Sequence, residues 1–150
     1  MLLVALMNFG CATVPVSNGM PPSAEVDDRW SLQVVTIDED GSDRVTRIWI
    51  ATMDGEPVLR TGESRWWNNL QRDASIRIRL SGTDYPYRAE SMERFEDKVR
   101  IDEIFLEKYG GWERALFSQE RGKTHSNYAR LRNEHQRTLR SVDIGLMVSN

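Results

Sequence analysis

A tight turn at Asp54-Gly55 sets the geometry of the residues on either side of it. Two-residue hairpin turns need positive φ, which glycine supplies without strain, so Asp-Gly between β-forming runs predicts a hairpin. Before it, Arg47, Ile48, Trp49, Ile50 and Ala51 form a β-branched and aromatic run suited to a strand. After it, Glu56 to Thr61 reads as the returning strand, ending in Arg60-Thr61-Gly62. Ser64 is placed to cap a helix whose first turn carries Arg65, Trp66 and Trp67. A basic side chain, a hydroxyl and a glycine at a strand-to-helix junction suit an anion, because unpaired helix N–H groups point outward there. Two adjacent indoles offer a flat apolar wall.

Bulk properties narrow the classes. A chain of 150 residues is long enough for one domain with a real core. Its net charge of -3 argues against a dedicated nucleic-acid binder, whose domain is usually basic. The single cysteine, Cys11, excludes an internal disulfide and any multi-cysteine metal site. No apolar run approaches the about 20 residues that a membrane helix needs.

The N-terminal residues MLLVALMNFG are apolar and lead into Gly10-Cys11. This resembles the end of a bacterial lipoprotein signal, with Cys11 as the lipidated residue and a flexible polar tether after it. The basic stretch that normally precedes such a run is missing, which a start codon farther upstream would explain. The reading implies a lipid anchor on the periplasmic side of a bacterial cell envelope. The alternative is a frayed apolar N-terminus on a cytoplasmic protein. Residues 17 to 28, SNGMPPSAEVDD, read as a linker because proline, serine and glycine do not build a packed element.

From Trp30 the pattern becomes β-like. Ser31 to Ile37 alternates around Leu32, Val34 and Val35 before a turn over 38–42. Ile76, Ile78 and Leu80 alternate with Arg77, Arg79 and Ser81, a half-buried strand with a solvated basic face. Tyr85 to Glu90 is its expected partner, placed at an edge by Pro86. Helical spacing then takes over from Met92 to Tyr109, Gly110-Gly111 stops that helix, and Trp112 to Phe117 reads as a second short one. Ser118 to Ser126 is expected as a surface loop. A basic helical face follows, through Arg121, Lys123, Arg130, Arg132, Arg137 and Arg140, with Leu139 to Val148 as a closing strand.

Asp54-Gly55-Glu56-Pro57 ahead of Arg60-Thr61, then Trp66-Trp67-Asn68-Asn69-Leu70 ahead of a strand and the Tyr85–Glu90 segment, resembles the flavin- and deazaflavin-binding split-barrel superfamily. That superfamily includes pyridoxamine-phosphate-oxidase-like enzymes, the deazaflavin-dependent nitroreductases and uncharacterised branches. The resemblance covers about a third of the chain. It implies an α+β fold, a small split β-barrel of about six antiparallel strands with flanking helices, over residues 24–150 behind a signal remnant and linker at 1–23. It also implies flavin mononucleotide (FMN) or a deazaflavin (F420) in a groove between barrel and helix, often at a homodimer interface. Arg60 and Thr61 would meet the cofactor phosphate, Trp66, Trp67 and Asn69 would border the ring, and Arg47 is counted with them as cofactor-binding. The turn here is shorter and more acidic than in the nitroreductase branch, since Asp54 and Glu56 replace a glycine- and lysine-containing loop. That leaves FMN, a deazaflavin or no cofactor open.

The expected function is therefore a flavin- or deazaflavin-dependent oxidoreductase of the envelope with an unknown substrate. The alternative is a non-catalytic lipoprotein whose barrel serves as a small-molecule-binding or interaction module. His125 and His135 stand ten residues apart without acidic or cysteine partners at ligand spacing, so no metal site is expected. No G-x-S-x-G or Cys-His context marks a nucleophile. Hydride chemistry on a bound cofactor needs neither.

Overall fold

The computed structural model describes residues 13–21, 23–117 and 120–133. Cys11, His135, Arg137, Arg140 and the expected closing strand at Leu139–Val148 lie outside them.

In chain order the elements are α1 (Ser23–Asp28), β1 (Leu32–Ile37), β2 (Asp43–Ile48), β3 (Ala51–Met53), β4 (Glu56–Thr61), α2 (Arg65–Arg72), β5 (Ser75–Leu80), β6 (Thr83–Ser91), α3 (Phe95–Leu116) and β7 (Asn127–Asn133). Among the described residues the strands form one sheet of seven, in the order β2-β1-β5-β6-β7-β4-β3, rather than the expected six or so. Every neighbouring pair is antiparallel. β2 and β3 are the two edges, yet only Trp49 and Ile50 separate them in sequence. Three Cα–Cα steps of about 3.8 Å cannot cross an open sheet of seven strands, so the sheet must curl until its edges meet. This is the α+β split-barrel architecture.

The extra strand comes from dividing one expected run. Arg47 and Ile48 close β2, whereas Ala51 opens β3 on the other edge. Tyr109 on α3 holds the crossing: its hydroxyl donates to the Ile50 carbonyl at 2.7 Å and accepts the Ile50 N–H at 3.0 Å. Those backbone groups are buried, and the phenol stands in for a strand partner. Burial pushes the Tyr109 hydroxyl up to about 12, so it stays protonated as a donor.

Two apolar layers result. The barrel interior holds Leu32, Val34, Leu59, Trp66, Trp67, Leu70, Ile78, Tyr87 and Leu131. Between the outer face of the sheet and α3 lies a second cluster of Met53, Val58, Ile101, Phe105, Tyr109 and Tyr128. Strand alternation divides β4 between them, so Leu59 enters the barrel while Val58 and Arg60 face α3.

Four further expectations are corrected. Residues 17 to 28 are not a free linker, because Ser17 N–H donates to Asp84 O at 2.9 Å and α1 buries Val26 in the barrel core. β6 is central, between β5 and β7, although it contains Pro86. Its alternate N–H groups point toward β5, as Ala89 N–H does to Ala74 O, so the proline faces the β7 side, one residue before the described β6–β7 pairing starts at Tyr87. Residues 127–133 form a strand rather than a basic helical face. Arg132 pairs with Glu56 and Glu90, and Arg130 with Glu56 at 3.5 Å, so tertiary ion pairs take up this charge and that of the acidic turn. Likewise Arg79 is bound by buried Asp84 at 2.6 Å rather than merely solvated.

Candidate functional site

The site begins with α3. Its buried residues are Ile101, Asp102, Phe105, Tyr109 and Glu113, so two carboxylates lie on the apolar stripe. Buried carboxylates require partners, since desolvating an unpaired charge is costly. Arg60 provides the partner: one terminal nitrogen binds Asp102 Oδ1 and the other Glu113 Oε1. All three side chains are sealed, with relative exposures of 1% for Arg60, 0% for Asp102 and 1% for Glu113. The guanidinium carbon sits 4.3 Å from the Phe105 ring centroid, a cation–π contact that adds to the pairing.

Asp102 also fixes the loop ahead of β7. Its Oδ2 accepts the Gly122 N–H at 2.7 Å and the Tyr128 hydroxyl at 2.9 Å. The Tyr128 oxygen in turn accepts the His125 N–H at 3.1 Å. Gly122 has φ +77°, and a Cβ there would stand 2.5 Å from the Phe95 ring and 2.9 Å from Val99. No larger residue fits between that loop and α3 without displacing them.

Beside this cluster opens a cleft of about 340 Å³. Ile48, Trp49 and Trp66 line one side, with Phe105, Leu116 and Phe117 on the helix side; Arg60, Thr61 and His125 complete it. Trp49 is held by stacking on Tyr109, 4.3 Å between centroids and 10° between planes, and by an edge contact with Phe117 at 5.6 Å. Phe117 lies 4.7 Å from the His125 ring. Burial, reinforced by the nearby Arg60 charge, pulls His125 down to about 4, which leaves it neutral at physiological pH. The cleft thus combines flat aromatic walls, a neutral imidazole and an arginine whose fork is taken up by two carboxylates, which suits a planar, largely apolar molecule.

The structure sorts the residues expected from the sequence. Thr61, Trp66 and Arg60 border the cleft, with the Arg60 fork occupied by carboxylates on α3. Ser64 caps α2 by accepting the Trp67 N–H at 3.4 Å, and the Thr61 hydroxyl lies 3.3 Å from that of Ser64. Trp67 packs in the barrel core edge-on to Trp66 at 6.1 Å. Asn69 points away from the cleft, donating to Thr36 Oγ1 at 3.0 Å and Asp38 Oδ1 at 2.8 Å. Arg47 is exposed on edge strand β2 and donates to Ser31 Oγ at 3.3 Å. Sequence reasoning missed Trp49, Phe105, Phe117 and His125 as cleft residues. The signal for the sealed cluster was partial: Asp102 falls on the apolar stripe with Ile101 and Phe105, which calls for a buried cation, whereas Glu113 lies beyond the break at Gly110.

No family model matches the chain, and no curated protein matches it in sequence. Solved structures do match in fold. A 5-nitroimidazole antibiotic resistance protein, so described provisionally, from Bacteroides thetaiotaomicron is 15% identical with a TM-score of 0.58, over 74% of this chain and 76% of that one. The heme storage protein HutZ of Vibrio cholerae is 17% identical with a TM-score of 0.57, over 74% and 86% respectively. An F420-H2-dependent reductase is 12% identical with a TM-score of 0.53, over 69% and 94%. At these identities the likeness establishes the split-barrel fold that these proteins share with this chain.

Proposed function

We propose that this protein binds a flat heteroaromatic cofactor, FMN or a deazaflavin, in the cleft between β4 and α3, and acts as an oxidoreductase. The observation that carries the reading is the cleft of about 340 Å³ walled by Trp49, Trp66, Phe105 and Phe117. Indole and phenyl faces stack on heterocycles, and water-poor walls strengthen each polar contact inside. The F420-H2 dependence of one structural neighbour supports the choice of cofactor class.

Trp49 and Trp66 would border the ring, Thr61 would offer its hydroxyl at the strand-to-helix junction, and Arg60 would form part of the floor. A bound flavin or deazaflavin would supply hydride transfer, leaving the protein to bind, orient and exclude water. A homodimer belongs to the same reading, since Trp30, Trp112 and Leu116 leave apolar surface exposed and Leu116 also lines the cleft. Envelope location through a lipid on Cys11 rests on the N-terminal sequence alone.

Titration of the purified full chain with FMN, F420 and heme, read by tryptophan fluorescence, tests the proposal. Saturable quenching by FMN or F420 in the micromolar range is expected. Quenching by heme alone would replace the redox reading with heme binding. A folded protein that binds none would leave the interaction-module alternative, which the internal neutralisation of Arg60 favours.

A further inference from the structure

We infer that the groove continuing beyond Phe117 and His125 is a seat for the anionic tail of the cleft's ligand, with Lys98 and Lys123 as its recognition groups. This rests on the reading that the cleft takes a flat ring. The tail is a phosphate, as a monoester on a flavin or a diester on a deazaflavin.

Three observations converge. First, Arg60 is a poor anchor for an anion. It is sealed between Asp102 and Glu113, and one positive and two negative formal charges leave that cluster repelling a phosphate. Second, a surface groove of about 610 Å³ shares Phe117 and His125 with the cleft, so the two spaces meet at a common wall. Lys98, Lys123, Thr124 and Ser126 line it, a set of ammonium and hydroxyl groups where the cleft is aromatic.

Third, these lysines are exchangeable where Arg60 is not. Lys98, 20% exposed and 5.8 Å from the Tyr128 ring centroid, has its Nζ 3.5 Å from Glu93, whose side chain is 82% exposed and free to be displaced. Lys123 pairs with Glu120 across one turn, both more than half exposed. Solvent-exposed pairs of this kind contribute about 0–1 kcal/mol, so a phosphate with charge-assisted hydrogen bonds can displace them. The spacing of the two lysines is also fixed in advance. Gly122 is wedged against Phe95 and Val99 and bound to Asp102, which holds the Lys123 loop on the helix that carries Lys98. Thus the sealed cluster would orient the ligand: ring inward, anion outward.

The test compares matched ligands with and without the tail. Riboflavin is titrated against FMN, and tail-free 8-hydroxy-5-deazariboflavin against F420, with wild-type protein and with a Lys98→Ala/Lys123→Ala variant. The tailed ligand should bind about tenfold more tightly to wild type, a preference that falls to within about twofold in the variant. Affinity for the tail-free ring should not change, and Lys123→Ala alone, at a side chain 63% exposed, should weaken tail binding while keeping the wild-type thermal midpoint. Which pair shows the effect distinguishes the flavin monoester from the deazaflavin tail, a phosphodiester extended by carboxylates. Equal affinity for tailed and tail-free ligands, or a preference that survives the double substitution, would overturn the inference while leaving the ring site standing. Failure of all four ligands to bind would remove the ring site and the tail site together.

Discussion

Two clusters of arginine and carboxylate flank the strand-to-helix turn at residues 61–65, and they differ in what surrounds them. On the α3 side, Arg60, Asp102 and Glu113 have almost no exposed surface. On the other side, Asp38 accepts from Arg44 Nε at 2.8 Å, Asn69 Nδ2 at 2.8 Å and Arg65 Nη2 at 3.0 Å, but the Arg65 side chain is 67% exposed. The residue types are the same and the roles are not. A sealed pair must stay paired, because breaking it strands a charge in a low-dielectric interior. An open pair competes with water and salt, so its worth is small and adjustable. The sealed cluster therefore builds the floor of the cleft, and the open one fastens α2 to the end of β1.

The largest expected effect comes from breaking the sealed cluster. Arg60→Leu leaves Asp102 and Glu113 facing each other without a cation, at a cost of about 3–5 kcal/mol in urea unfolding. Replacing all three with apolar residues of similar size should recover most of that loss. If Arg60→Leu alone proves as stable as wild type, the cluster does not hold β4 to α3.

A middle-sized effect concerns pH. The Arg44 and Asn69 side chains hold the Asp38 carboxyl down to about 2, below its ordinary 3.8. The folded state thus favours the ionised form. Its stabilisation is fully present above about pH 4 and lost as pH falls toward 2. Asp38→Asn should lower the thermal midpoint at neutral pH and flatten its fall across that window. An unchanged acid limb in the variant would mean that other carboxylates carry it. The smallest effect belongs to Arg65→Ala, expected to cost less than about 1 kcal/mol and to shrink further in molar salt.

How much of this was legible depends on how far apart the deciding residues lie. β4, its Asp54-Gly55 turn and the Ser64 cap followed from neighbours within a few positions, as did the break at Gly110 (φ 53°, ψ -117°) inside α3. The edge-to-edge crossing did not. Arg47 to Met53 carries no local turn signal, and the groups that pin the break there, the Tyr109 hydroxyl and Lys108 Nζ on the Ile50 backbone, lie 59 and 58 positions beyond it. Arg60 read as an anion anchor because its partners Asp102 and Glu113 are 42 and 53 residues away. Arg130 and Arg132 read as a basic face for the same reason, with Glu56 and Glu90 out of local view. Of the adjacent tryptophans, helix geometry separates their directions by about 100°, but the sequence did not say which one meets the cleft.

That separation supplies the most direct test of the ring site. Both indoles pack in the barrel core, but of the two Trp66 alone also lines the cleft. Titrations with FMN and F420 should be run on Trp66→Phe and Trp67→Phe side by side. The ring site predicts weakened binding and reduced quenching in Trp66→Phe, with Trp67→Phe close to wild type. Equal behaviour of the two variants, or a stronger loss at Trp67, would contradict the placement of the ligand between β4 and α3.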